Sequence, residues 1–367
     1  MKKLLFIMNV TNQITNFAIP SIVAAQEMGY EFHLAANCSN FKDDASKYHI
    51  KIHHIDIDRN PYNFRQNRKA YRQMLSLMND EKFDAIHCNT PMGGVLGRLC
   101  GKKAKVSKII YTAHGFHFYK GAPILNWLVY YPAELILGRY TDLLITMNKE
   151  DYERAKKHFN SCRVEYIPGI GIDVNNVVMD RRKKRKELEI PDQTMVLLTV
   201  GEMIKRKNHE TALKAVAKLK NRNFIYLICG MGVLEDDLKE LAINLGIEKK
   251  VRFLGFRNDI REICMASDIF VFPSYQEGLP VAVMEAMSVG LPIVASSIRG
   301  NTDLLADGEG GFLHQPEEVG KISESIDKII ADPELRKTMG QRNLDEAKKY
   351  NEEIVKERML ELYQSIL

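Results

Sequence analysis

The chain has 367 residues, 45% of them hydrophobic and 27% charged, with a net charge of +5. That length outgrows one ordinary core and suits two domains, and the composition is ordinary globular usage, not that of a disordered or fibrous chain. No apolar run approaches the ~18–20 residues that span a bilayer, and the six scattered cysteines, without a C-x-x-C pair, read as reduced, mostly buried thiols of a cytosolic protein.

The first residues carry Lys2 and Lys3 and run apolar to Met8, a faint imitation of a signal peptide. The run stops at Asn9, short of the ~7–15 residues of an apolar signal region, so a first strand is expected over 3–9. Further strands are expected over 31–36, 51–55, 85–89, 108–113, 143–147 and 164–167. A second series is expected over 195–200, 224–229, 251–254, 269–272, 292–296 and 311–313. These runs are continuous rather than alternating, as in parallel strands covered on both faces, with helical patterns between them. Two blocks of repeated β-α units imply two doubly wound α/β domains, which bind ligands outside the carboxyl ends of their strands. The boundary falls in 168–191, which holds Gly169, Gly171 and the basic run 181–186. That run reads as a solvated linker or helix face rather than a nucleic-acid patch, and no nucleic-acid partner is expected. Residues 1–170 hold 23 Lys and Arg against 15 Asp and Glu, and the remainder 29 against 32, so the first block is the basic one. The last segment, 352–367, reads as an amphipathic helix.

The stretch 277–297, EGLPVAVMEAMSVGLPIVASS, carries the most chemistry. Glu285 stands inside an otherwise apolar helical run, and a buried carboxylate needs a partner or a ligand. Glu277 precedes a Gly-Leu-Pro turn by one residue, and Pro280 suits a first helical turn, whose free N–H groups favour an anion. One segment therefore offers a phosphate cradle flanked by two carboxylates able to accept bonds from hydroxyls, the combination a nucleotide-sugar demands.

On this Glu-x7-Glu pair, on VGEMIKRKNHETALKAV over 200–216 and on YTAHGFHFYKGAP over 111–123, the chain resembles the GT-B glycosyltransferases of the group-4, retaining type over essentially its whole length. The last of these motifs is similar to the subset that builds bacterial capsular and exopolysaccharides. The resemblance implies two Rossmann-like domains facing a cleft. An acceptor domain would span 1–175 and a nucleotide-sugar domain 176–350, with 351–367 a helix crossing back to the first.

The resemblance also implies roles. Lys207 would meet the donor diphosphate and bind the departing nucleotide more strongly than the intact donor. Glu285 would accept the ribose hydroxyls, and Glu277 the hydroxyls of the donor sugar. Backbone at Gly201, Gly230, Gly278 and Leu279 would border the donor, with Phe256 and Arg257 near the base. His114, with Gly115 behind it, would line the sugar, and His117 is divided between acceptor site and packing. Many relatives carry an Arg at the position of Glu202, so Arg206 is the candidate second cation. The first loop lacks the Gly pair of many relatives, and Asn12, Thr15 and Asn16 offer polar contacts instead. Asp56-Ile57-Asp58 imitates a metal-binding pair but reads as a strand end, and no metal or cofactor is expected.

The expected activity is transfer from a nucleotide-sugar, a UDP-sugar by analogy with the subset, to a lipid-linked saccharide acceptor. It would take place in the cytoplasm or at the inner face of the membrane. The basic pattern 62–78 and the aromatic stretch 127–131 are open between ordinary packing and contact with an anionic leaflet. A nucleotide-sugar 2-epimerase and a non-catalytic sugar-nucleotide-binding scaffold are the competing readings.

Overall fold

The computed structural model describes residues 1–174, 180–221 and 223–367. The chain divides into two compact units, Met1–Gly171 with Glu352–Leu367, and Ile172–Asn351. The first holds β1 (Lys3–Val10), β2 (Glu31–Asn37), β3 (Lys51–His54), β4 (Ala85–Asn89), β5 (Lys108–Ala113), β6 (Leu143–Thr146) and β7 (Arg163–Tyr166). The second holds β8 (Met195–Val200), β9 (Phe224–Cys229), β10 (Val251–Gly255), β11 (Ile269–Phe272), β12 (Ile293–Ser296) and β13 (Gly311–His314). Every strand lies within one residue of its expected span at either end.

The strands run parallel, ordered β3-β2-β1-β4-β5-β6-β7 in the first sheet and β10-β9-β8-β11-β12-β13 in the second. Chain order reverses between β1 and β4, and again between β8 and β11, creating a switch point in each unit. Helices cover both faces. Along β1, Leu5 and Ile7 enter one core while Leu4 and Phe6 enter the other. Such double burial is why the strands carry unbroken apolar runs.

The units meet the chain at slightly different points from those expected. The first break falls after Gly171 rather than 175, and the second after Asn351 rather than 350. The reason is a bridge between Ile172 and Asn351, reinforced by the Ile172 N–H donating to the Tyr350 carbonyl at 2.9 Å, which ties both strands of the crossing to the second unit. The remaining part of the expected boundary, 175–179, lies outside the described residues.

The final helix, Glu352–Ile366, packs into the first unit through Val355, Met359, Leu362 and Tyr363. The Tyr363 hydroxyl lies 2.7 Å from His87 Nδ1, and His87 Nε2 lies 2.7 Å from Thr112 Oγ1. Burial holds the His87 imidazole neutral, its pKa pushed down to about 3.

The basic run is not a purely solvated face. It forms the helix Arg181–Glu187, in which Arg185 is buried and Arg181 and Arg185 both grip Asp268, at 2.6 and 2.7 Å. All six cysteines are free thiols. Among the described residues no helix is long and apolar enough to cross a membrane.

Candidate active site

In the second unit the switch point lies between β8 and β11, and the two loops leaving their carboxyl ends carry the charged residues. The loop after β8 tightens into a short 3-10 turn, Lys205–Lys207, and closes on Asn208 at φ 55°, a left-handed conformation that Asn tolerates. The buried Asn208 amide donates to the Pro273 carbonyl at 2.8 Å and to the Pro316 carbonyl at 3.0 Å, and the Tyr275 N–H donates to the Arg206 carbonyl. These bonds fix the two loops against each other.

The result is a compact ionic cluster. Lys207 Nζ lies 2.8 Å from Glu277 Oε1, and Arg206 Nη1 lies 3.2 Å from Oε2. Arg206 also donates to the Gln276 carbonyl, and the buried Arg299 donates through Nε to the Glu277 carbonyl. Glu277 is only 7% exposed, and Lys207 and Arg206 are its ion-pair partners. The Lys207 ammonium sits 4.9 Å above the Phe272 ring, whose face favours a cation.

Glycines bring backbone to the same place. Gly230 has φ 141°, and a Cβ there would fall 2.0 Å from the Gly201 carbonyl oxygen, while a Cβ on Gly201 would press on the Lys207 stem. The Gly278 carbonyl similarly abuts Gly300. The helix Val281–Ser288 starts at Pro280, with Leu279 packed on the core just before it.

Glu285 is set apart from the cluster. Its carboxylate finds no hydrogen-bond partner among the described residues. Burial raises its pKa to about 7, with the Arg261 charge opposing that rise. A perturbed, largely buried carboxylate of this kind is a candidate ligand-binding group. Phe256 is 67% exposed just beyond β10, near Gly230, whose N–H donates to the Gly255 carbonyl. Arg257 is not brought to the cluster: its guanidinium is held by Asp259 at 2.6 Å and by Glu187 at 3.2 Å.

In the first unit, His114 follows β5 directly. Its ring stacks on Phe17 at 4.2 Å, and its Nε2 lies 3.1 Å from Asn89 Oδ1. With Nε2 donating to that oxygen, Nδ1 is left as an acceptor. Burial pushes the imidazole pKa down to about 3, so the ring is neutral. Phe17 draws the loop after β1, with Thr15 and the exposed Asn16, towards His114. Asn12 is exposed, and its carbonyl accepts from the Lys42 N–H. His117 turns away onto the next helix, Ile124–Gly138, where it stacks on Tyr130 at 4.6 Å and its carbonyl accepts from Asn126. Asp56 and Asp58 are taken up locally, Asp56 by Lys69, His54 and Gln73, and Asp58 by Asn60 and Asn63.

Residue patterns alone did not single out Phe17, Asn89, Asn208 as a loop clamp, or Arg299. Asn89 had one signal, a polar residue closing a fully buried strand beside the switch point.

Comparison with known proteins accords with this arrangement. Residues 180–345 match the family model "Glycosyl transferases group 1", and residues 3–148 match "Glycosyl transferase 4-like". A Bacillus subtilis (strain 168) protein provisionally named glycosyltransferase EpsD is 34% identical, over 100% of this chain and 97% of its own length. The Escherichia coli UDP-Gal:alpha-D-GlcNAc-diphosphoundecaprenol alpha-1,3-galactosyltransferase is 31% identical, over 73% of this chain and 71% of its own length. The crystal structure of Anabaena HepE in complex with UDP and glucose superposes with a TM-score of 0.81 at 20% identity, covering 100% of both chains. The fold is that of the GT-B glycosyltransferases. The chain belongs to the group 1 glycosyltransferase family, with a glycosyl transferase 4-like first unit, and is a sugar-transferring enzyme.

Proposed function

We propose that this enzyme is a retaining, metal-independent glycosyltransferase. It would move a sugar from a UDP-sugar to a lipid-linked saccharide during the building of a bacterial surface polysaccharide, at the cytoplasmic face of an anionic membrane. The observation that carries the reading is the convergence of Lys207, Arg206 and Glu277 at the switch point of the second unit. Two fixed cations supply the positive charge that offsets the negative charge developing on a departing diphosphate, a role otherwise open to a metal ion. The E. coli relative is named for a UDP-sugar donor and a diphosphoundecaprenol-linked acceptor, and the Anabaena neighbour was crystallised with UDP. Both support the choice of donor and acceptor class.

In the reaction the bond from the sugar's anomeric carbon to the diphosphate oxygen breaks, and a bond to an acceptor hydroxyl oxygen forms on the same face. The hydroxyl proton leaves to the departing diphosphate. Lys207 and Arg206 neutralise that group, Glu285 accepts ribose hydroxyls, and Glu277 accepts sugar hydroxyls. In the first unit, neutral His114 offers Nδ1 to a saccharide hydroxyl without adding charge.

The test is thermal stabilisation by UDP, GDP, ADP and their sugars, with and without EDTA, followed by NMR of the product linkage. A shift with UDP that survives EDTA and disappears in Glu285→Ala is expected, because binding to the folded form alone raises stability. Dependence on a divalent ion, or an inverted product linkage, would overturn the corresponding part. Turnover of donor to a 2-epimer without acceptor would favour the epimerase reading.

A further inference from the structure

The helix Ile124–Gly138 is built in two halves. Trp127, Tyr130, Tyr131 and Leu135 turn inward onto the core of the first unit. Its one charged residue, Glu134, also turns inward, to the buried Arg98. The opposite face carries Ile124, Leu125, Leu128, Val129, Pro132 and Ile136, a run with the i, i+4 recurrence of one helical side. Ile124, Leu125 and Leu128 are 76%, 70% and 68% exposed. This is a continuous apolar ridge with no charge of either sign, larger than scattered surface leucines would give.

The surroundings are basic. Lys120 and Arg139 stand exposed at the two ends of the ridge. Beside it, Lys102 lies over the Tyr140 ring, with exposed Lys103 next to it. On the neighbouring helix Lys149–His158, tied to the ridge helix by Tyr131 against His158, Lys156 and Lys157 are exposed, with Glu153 as their exposed acidic neighbour. A second apolar projection lies on the same sheet face. Tyr62 and Phe64, 74% and 75% exposed, open the helix Phe64–Glu81, which carries exposed Arg65, Arg68 and Arg72. Both helices feed the same core cluster, and both begin where the chain leaves the carboxyl edge of the parallel sheet, so the two projections share that edge.

We infer that this ridge is a membrane-docking surface, which lies in the interface of an anionic bilayer with its basic fringe on the headgroups. The helix is too short to span a bilayer, and its apolar face with cationic flanks is the pattern of an in-plane segment. A second copy of the chain is the weaker occupant, because self-packing about a two-fold axis would set the lysine and arginine fringes against each other. The aromatic stretch 127–131 is thus divided: Trp127, Tyr130 and Tyr131 pack inward, while Leu128 and Val129 face outward. The inference rests on the membrane-carried acceptor for its purpose, but the binding is read without donor or acceptor.

The experiment is sedimentation of the full chain with mixed phosphatidylglycerol–phosphatidylcholine vesicles and with phosphatidylcholine alone. The wild type is expected to bind the anionic vesicles and to be released by salt. The pair Leu125→Asn and Leu128→Asn should lower the partition coefficient by about tenfold or more, with melting temperature and nucleotide-induced stabilisation unchanged. The pair Lys156→Glu and Lys157→Glu should weaken binding to the anionic vesicles specifically. Undiminished binding of the asparagine pair would overturn the ridge as the docking face. So would absence of wild-type binding, or a wild-type dimer in light scattering that the asparagine pair dissociates. Nucleotide-induced stabilisation, measured in parallel, separates failure of this surface from failure of the transferase reading.

Discussion

Lys207 and Glu277 form an ion pair at 2.8 Å that bridges the loops after β8 and β11, and Arg206 closes the other carboxylate oxygen at 3.2 Å. Before any nucleotide arrives, a carboxylate thus occupies the cations assigned to the diphosphate. A diphosphate that claims Lys207 and Arg206 leaves a nearly buried Glu277 without its partners, unless sugar hydroxyls replace them. On the proposed assignment, phosphate binding and sugar recognition would be coupled by this exchange. Glu277→Gln should therefore raise the affinity for UDP about tenfold, because the competing charge is gone, and lower turnover of the UDP-sugar about a hundredfold or more. Calorimetry with UDP and steady-state kinetics check the two halves; a parallel loss in both would refute the exchange.

Glu285 predicts a pH signature. Burial raises its folded pKa to about 7, above the ordinary carboxyl range. The stability of its uncharged form is present below about pH 4–5 and is lost as pH rises through 7, a change on the order of 3 kcal/mol. Glu285→Gln lacks that loss, so it should melt above the wild type at pH 8.5 and match it near pH 4. If the ionised carboxylate accepts ribose hydroxyls, donor binding also releases a proton near pH 6.5. Calorimetry of a UDP-sugar in buffers of different ionisation enthalpy reads that proton.

Arg98 is a structural charge with one carboxylate partner. It is 1% exposed, donates to both oxygens of Glu134 at 2.7 and 3.0 Å, and lies 3.8 Å from the centre of the Tyr111 ring. Arg98→Met should cost about 3–5 kcal/mol by stranding Glu134, and adding Glu134→Leu should recover most of it. Urea denaturation of the single and double variants gives the comparison.

Gly230 has no room for a side chain. Its φ of 141° and the 2.0 Å approach of a Cβ to the Gly201 carbonyl require the loop to move. Gly230→Ala should retain the fold at a cost of about 1–3 kcal/mol and lose nucleotide-induced stabilisation, because Gly201 in turn rests on the Lys207 stem. Melting curves with and without UDP report both effects.

The strands were legible because parallel strands buried on both faces need unbroken apolar runs; Lys207 and Glu277 stand in local motifs, and Arg206, named only as a substitute for the family's missing Arg at Glu202, lies beside them in the same ionic cluster. The remainder depends on partners distant in the chain. Nothing near Arg185 announces Asp268, 83 positions away, so a helix face taken as solvated turned out to be anchored. Arg257 sits in the expected loop but is claimed by Asp259 and Glu187. The stacking of Phe17 on His114 joins residues almost a hundred positions apart, which spacing cannot reveal. Composition likewise marked 127–131 as aromatic without saying that the rings point inward and the aliphatic side chains outward.

The helix Glu352–Ile366 completes a sheet face begun by β1, and Tyr363 reaches His87 across 276 positions. A ribosome therefore makes the 180 residues of Ile172–Asn351 before the helix that completes the core shared with Ala18, Ile22 and Phe32. Closure of the first unit thus depends on a contact between segments far apart in the chain, the kind that loop-closure entropy penalises. Loss of the last helix would cost the enzyme one wall of the unit that carries His114, at the far end of the gene from the codons for that histidine.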